Sequence, residues 1–233
     1  NPPGNIWTGF HTTFEGENRL FQCAEIPMYI SDAPTESDSI SVRIKDASGR
    51  EIQQVIAKGL KPGLNYVQWK LDEHMHRLPG AWVSDESRGI AVLSGSYTVE
   101  SSYKGKSVSS SISVVEDPRF AIDPAIEVAL YAYQKRLDSL VKDFRDTYNS
   151  LKALEEATKK QGAENLNGAV KVEFAQLLLE GRDRPVDRQV GAWQSDQITP
   201  HSLLSDLLKL SMARTMPLSD QEYERLDSAK ECV

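Results

Sequence analysis

His74 and His76 are the residues of this chain best placed to do chemistry. They stand two apart, so on an extended backbone both rings leave on the same side. Asp72 is nearby. Two imidazoles and a carboxylate are ligand types of a zinc or copper site, and they would make the chain a metal-dependent hydrolase. The other histidines, His11 and His201, are remote in sequence, so no third histidine completes the set. The same three residues also read as an ordinary solvated loop, and that reading is preferred.

Aromatic chemistry offers a second class. Trp7, Trp82 and Trp193 fall in expected loops, whereas Trp69 sits in a strand pattern and reads as core. Exposed indoles stack on sugars or anchor a partner. They serve equally well to plug the join between two packed layers. No serine, cysteine or histidine lies in a G-x-S-x-G nucleophile motif. No glycine-rich phosphate loop is present, so no cofactor is expected. Ser31–Ser39 could offer carboxylates to calcium but lacks the ligand spacing of a calcium loop. Gly181–Gly191 could hold an anion on its arginines. Both read first as solvated charge runs.

Such residues need elements to hold them. Val42–Leu71 supplies three short strands with two turns. Val42 and Ile44 alternate with Ser41, Arg43 and Lys45, the mark of a sheet with one dry face. Asp46-Ala47-Ser48-Gly49 breaks the pattern with side chains that bond their own backbone and a glycine free to take positive φ. Ile52, Val55 and Ile56 form the next run, and Lys61-Pro62-Gly63 is the second turn. Val67, Trp69 and Leu71 then point one way. A first strand region runs from Phe14 to Ile30, with Pro27 placing it at an edge or bulge. Tyr97 and Val99 lead through the Lys104-Gly105-Lys106 turn into a returning strand with Val108, Ile112 and Val114. This spacing predicts an antiparallel Ig-like sandwich over 14–117, preceded by a linker at 1–13.

Asp123-Pro124 changes the regime to a helix cap followed by an N1 proline. Ile126, Leu130, Tyr133, Leu137, Leu140 and Phe144 form a seam with steps of three and four, extended by Tyr148, Leu151 and Leu154. Its partner is expected in the leucine stripe after Thr199-Pro200. Ser219-Asp220-Gln221-Glu222 is a capping box, with Leu218 placed to staple onto Tyr223. Residues 118–233 therefore read as a helical hairpin or small bundle. The fold class expected is α+β, with the two kinds of structure segregated along the chain.

The 233 residues carry a net charge of -7, which disfavours a nucleic-acid partner. No apolar run suggests a membrane span. Cys23 and Cys232 are too few for a disulfide framework and read as a buried small hydrophobe and a terminal thiol rather than a bridge.

Three segments together, IKDASGREIQQ, GLKPGLNYVQWKL and SGSYTVESSYKGK, resemble the Ig-like module of flagellar hook-capping proteins. They are still more similar to the C-terminal region of secreted β-propeller proteins of the sortilin and BNR-repeat type, often labelled glycosyl hydrolases. FEGENRL stands where that module begins, and VVEDPRF with the helix after it matches the family's passage into a closing helical hairpin. The resemblance implies a chain that is secreted, periplasmic or in the cell envelope. It also implies a neighbouring propeller domain as partner. The family's chemistry is placed in the propeller, so no catalytic residue carries over. The insert around His74–Arg88 departs from the family pattern. Three functions stay open: an accessory or interaction module, a carbohydrate-binding module using loop aromatics, and an enzyme built on His74, His76 and Asp72.

Overall fold

The computed structural model describes residues 23–79, 89–116, 123–162, 166, 168–172, 199–212 and 217–232. These combine antiparallel sheets with α-helices and fall into two compact units. The first takes its described residues from 23–75, 89–131, 212 and 217; the second from 76–79, 132–162, 166–172, 199–211 and 218–232. This division differs from the single cut at 117/118 drawn from the sequence. The segment after Met75 joins the helical unit, and the first turns of the long helix join the sheet unit.

In the first unit, β1 (Ala24–Ile30) pairs with β4 (Gly63–Trp69) as a two-stranded sheet. A four-stranded sheet has the order β3-β2-β7-β8, from β2 (Ile40–Lys45), β3 (Glu51–Ala57), β7 (Gly95–Tyr103) and β8 (Lys106–Val114). Both sheets contribute to one core: Ile26, Val67 and Trp69 from the pair, and Val42, Ile44, Tyr97 and Val99 from the four. Trp69 has no exposed surface and meets Tyr97 edge-on at 5.5 Å between ring centroids. Leu71, expected to face the core beside it, lies beyond the end of β4 and is only partly buried. Pro27 stands on β1, whose one strand partner among the described residues is β4, as an edge proline should.

The turns follow their residue chemistry. Asp46 accepts from the backbone N–H of Ser48 at 2.9 Å and of Arg50 at 3.1 Å, while Gly49 takes φ 84. Lys104 and Gly105 both have positive φ, 46 and 77, and close the β7–β8 hairpin in two residues. Lys61-Pro62-Gly63 is a different case. It does not fold β4 back on β3; it delivers β4 to the other sheet. The β2–β3 register shifts between Ile44 and Lys45, a bulge that reverses the facing of β3. Ile52, the extra residue of the bulge, is buried, Val55 and Ala57 turn inward after it, and Ile56 is exposed.

In the second unit, α1 (Pro124–Lys160), whose described course begins in the first unit, presents buried Tyr133, Leu137, Val141 and Phe144. These share a core with Leu204 and Leu207 of α2 (Pro200–Met212) and with Leu226 and Ala229 of α3 (Asp220–Cys232). Only the middle of the expected seam is deeply covered; Leu154 stays 44% exposed. Asp123 caps α1 by accepting from the Ala125 N–H at 2.9 Å. Glu222 reaches back to the Ser219 N–H at 2.8 Å, the glutamate half of the capping box. Leu218 and Tyr223 both pack on the shared core.

Candidate functional site

The three candidate metal ligands are placed on two units: Asp72 and His74 on the first, His76 on the second. Asp72 opens β5 (Asp72–Glu73), which pairs with β6 (Ile90–Ala91). Its side chain is buried, and one oxygen accepts from Gln53 Nε2 at 3.2 Å while the other accepts from the Gly89 N–H at 2.7 Å. One oxygen thus ties β5 to β3 and the other ties it to the start of β6. Its main-chain carbonyl accepts from Trp69 Nε1 at 2.8 Å. Gly89 can be nothing larger here, because a Cβ would come 1.8 Å from the Glu73 carbonyl oxygen. His74 is exposed, and its backbone N–H donates to the Ile52 carbonyl, at the bulge, at 2.8 Å.

Glu73 carries the denser chemistry, and sequence reasoning missed it. It is buried, and Arg50 grips it with two N–H groups, Nη1 to Oε1 at 2.6 Å and Nη2 to Oε2 at 3.2 Å. The Tyr131 hydroxyl donates to Oε2 at 2.5 Å. Arg50 Nε also donates to Asp46 Oδ2 at 2.9 Å, so the turn aspartate orients the guanidinium. Burial, then the Glu73 hydrogen bond, push the Tyr131 phenol up to about 12. The Arg50 pKa is raised chiefly by Glu73. The signal in the sequence was faint. Leu71 takes φ 55, rare for a residue with a branched side chain, immediately before the buried Asp72 and Glu73, and a φ is not readable from the residue type.

On the second unit, His76 belongs to a short irregular segment, 76–79. Its backbone N–H donates to Asp138 Oδ1 at 2.6 Å, and its ring Nδ1 lies 3.0 Å from the same oxygen and 3.1 Å from Oδ2. Asp138 is buried on α1. Leu78 enters the helical core, and His201 Nε2 donates to the Pro79 carbonyl at 2.9 Å. Burial holds the His201 ring below the usual histidine value, against the raising effect of the Pro79 carbonyl, with Lys209 adding to the lowering. Gln134, buried one turn before Asp138, donates to the Ser211 carbonyl at 3.0 Å near the end of α2. Asp138 and Gln134 were legible only as polar interruptions beside the apolar seam.

Comparison of the chain with protein-family models, with curated proteins and with solved structures finds no match.

Among the described residues, no group of three or more His, Cys, Asp or Glu is arranged to hold a metal ion. Trp7, Trp82 and Trp193 lie outside the described residues. So do the linker at 1–13 and the arginine-rich loop at 181–191. The exposed aromatics that the structure does place are tyrosines. Tyr29 is 76% exposed and Tyr66 55% exposed, on the outward side of the β1–β4 pair. The register sets Tyr29 opposite Leu64 and Tyr66 opposite Pro27, which makes the two rings diagonal neighbours. No described helix is long and apolar enough to cross a membrane.

Proposed function

We propose that this chain is a non-catalytic accessory or interaction module, an Ig-like β-sandwich followed by a helical hairpin or small bundle. It forms the C-terminal part of a larger secreted β-propeller protein and packs beside that propeller or another protein. One observation carries the reading. The three buried carboxylates of the described residues, Asp72, Glu73 and Asp138, all hold neighbouring segments of the chain in place. Groups that would serve an enzyme as base or ligand are here engaged as struts. The resemblance of IKDASGREIQQ and GLKPGLNYVQWKL to the propeller-associated module supplies the context. Titration calorimetry against the separately expressed upstream part of the gene product tests it, with saturable binding expected. Metal-dependent hydrolysis of model glycosides, lost in His76→Ala, would overturn it.

A second reading, carbohydrate binding, is favoured by Tyr29 and Tyr66 on one exposed sheet face beside Pro27 and Leu64. Phenol rings offer apolar faces to the C–H side of a pyranose. Affinity electrophoresis in gels containing soluble polysaccharides should then retard the native chain and not Tyr29→Ala/Tyr66→Ala. Equal mobility of the two in every gel removes this reading.

A further inference from the structure

The four-stranded sheet treats its two edges differently. Its β3 edge carries the bulge and the charged Glu51. Among the described residues its β8 edge carries no bulge, no proline and no charge past its first residue, devices that usually blunt an edge. The β7–β8 register runs unbroken from Gly95↔Val114 to Tyr103↔Lys106, so β8 is a regular nine-residue strand. It contains no proline, and its one charge, Lys106, is at its first residue. Among the described residues no strand pairs with its far side. It is exposed along most of its length, with Val108 at 66%.

The sequence of this edge reads nearly the same in both directions. Around Ser110 stand Ser109 and Ser111, then Val108 and Ile112, then Ser107 and Ser113. A strand that meets its own copy across a two-fold axis needs this property, because each residue i faces j while j faces i. We propose that two copies of this chain associate through antiparallel pairing of their β8 strands, with the axis at Ser110. Each Val108 then meets Ile112 of the other copy, and serines oppose serines elsewhere. Lys106 faces Val114, so no like charges meet. The two four-stranded sheets become one of eight. Val108, Ser110 and Ile112 sit opposite Ser101, Val99 and Tyr97 in the hairpin register, so they point to the side of the sheet that holds the core. Val108, largely bare in the single chain, gains an apolar neighbour on that side. A slip of one residue would turn the other copy's face over; a slip of two sets Val108 against Ser110 in one direction and, in the other, against Val114, which its own chain already buries, so the axis at Ser110 is the one of these that gives Val108 a partly exposed apolar partner. The inference is independent of the propeller reading.

Sedimentation velocity on the full chain over a range of concentrations should show a monomer–dimer equilibrium. Ser110→Lys places two like charges face to face at the axis and should weaken it about fivefold or more. Circular dichroism checks that this exposed substitution keeps the fold. A second readout does not depend on the lysine. In Ser110→Cys the two new thiols sit on directly opposed residues, with Cα atoms about 4.5–5.5 Å apart, within disulfide reach. In Ser107→Cys they would be about 20 Å apart, six residues out of register. Both variants keep Cys23 and Cys232, so mild oxidation should give more covalent dimer for Ser110→Cys alone. A chain that stays monomeric overturns the proposal. So does a dimer indifferent to Ser110→Lys, or one in which the two cysteine variants cross-link equally.

Discussion

Two consecutive stretches of chain after β4 are fastened in contrasting ways. Residues 72–75 of the first unit are held by a fork of permanent charge: Arg50 on Glu73, with the Tyr131 hydroxyl as third member. Residues 76–79 of the second unit are held through imidazoles, His76 against Asp138 and His201 on the Pro79 carbonyl, with Leu78 as the apolar pin. An arginine keeps its charge at any working pH, and a histidine does not. The first fastening therefore ignores mild acid; the second includes one ring, His201, whose charged form burial disfavours. The two should fail at opposite ends of the pH scale, and each substitution below separates them further.

The largest expected effect is on the first unit. Trp69→Ala removes the biggest fully buried side chain among the described residues and the indole N–H that holds the Asp72 carbonyl. Urea denaturation should show a loss of about 3–5 kcal/mol. Hydrogen exchange should rise across 40–75 while the helices at 132–160 keep their protection. A loss under about 1 kcal/mol would place Trp69 outside any tight core.

Next comes Glu73→Gln, which leaves Arg50 facing a neutral amide. Glu73 is nearly inaccessible, but the Arg50 side chain is 47% exposed, so water recovers part of what is lost. The cost should be about 2 kcal/mol, less than for a pair buried at both ends. The same measurement on Arg50→Gln should give a smaller figure only if Asp46, its other partner, matters little to the turn.

Tyr131→Phe should cost about 1 kcal/mol at neutral pH, one hydrogen bond to a charged acceptor shared with Arg50. Its pH signature is sharper. The unfolded phenol ionises near its ordinary value of 10.0, the folded one at about 12. Between them the folded chain keeps a proton that the unfolded chain has lost, so stability falls as pH rises from 10 towards 12. The phenylalanine variant should lose that component of the alkaline slope. An unchanged slope would mean that the Tyr131 hydroxyl is not held on Glu73.

What was legible in the sequence is what the chain decides locally. Asp46 and Gly49, Lys104 and Gly105, Asp123 and Ser219 all act within a few residues of themselves, and each makes its turn or cap. The core faces of β2 and β7 were legible too, because strict alternation leaves one choice of face. Pairing partners were not. Nothing in Lys61-Pro62-Gly63 says whether the next strand returns beside β3 or crosses to β1. The bulge at Ile44/Lys45 depends on contacts from both strands and flips Ile56 outward against its hydrophobic type. The fastenings were least visible, since Arg50, Glu73 and Tyr131 are brought together from 81 positions apart. His76 drew attention as a ligand, yet its partner, Asp138, is 62 residues away on a helix read only for its apolar seam.

The smallest effect tests the acid side of the comparison. His201 is partly buried, its ring lies 6.0 Å from Phe144, and the group of opposite sign nearest in its own helix, Asp206, is matched by Lys209. Burial lowers its pKa below the ordinary 6.5, and the Pro79 carbonyl offsets that only in part. The unfolded chain therefore takes up the proton at higher pH than the folded one. Stability from this source is complete above 6.5 and drains away as pH falls through the lowered folded value. His201→Gln keeps an N–H for the Pro79 carbonyl and carries no titrating ring. Its loss at pH 8 should stay under about 1 kcal/mol, since the ring is partly screened by solvent. Between pH 7 and 5 its stability should decline less steeply than that of the native chain, and hydrogen exchange at 76–79 should report the difference. Tyr131→Phe should leave that acid slope untouched. If His201→Gln and the native chain lose stability in parallel, the acid sensitivity of the second fastening lies elsewhere than in His201.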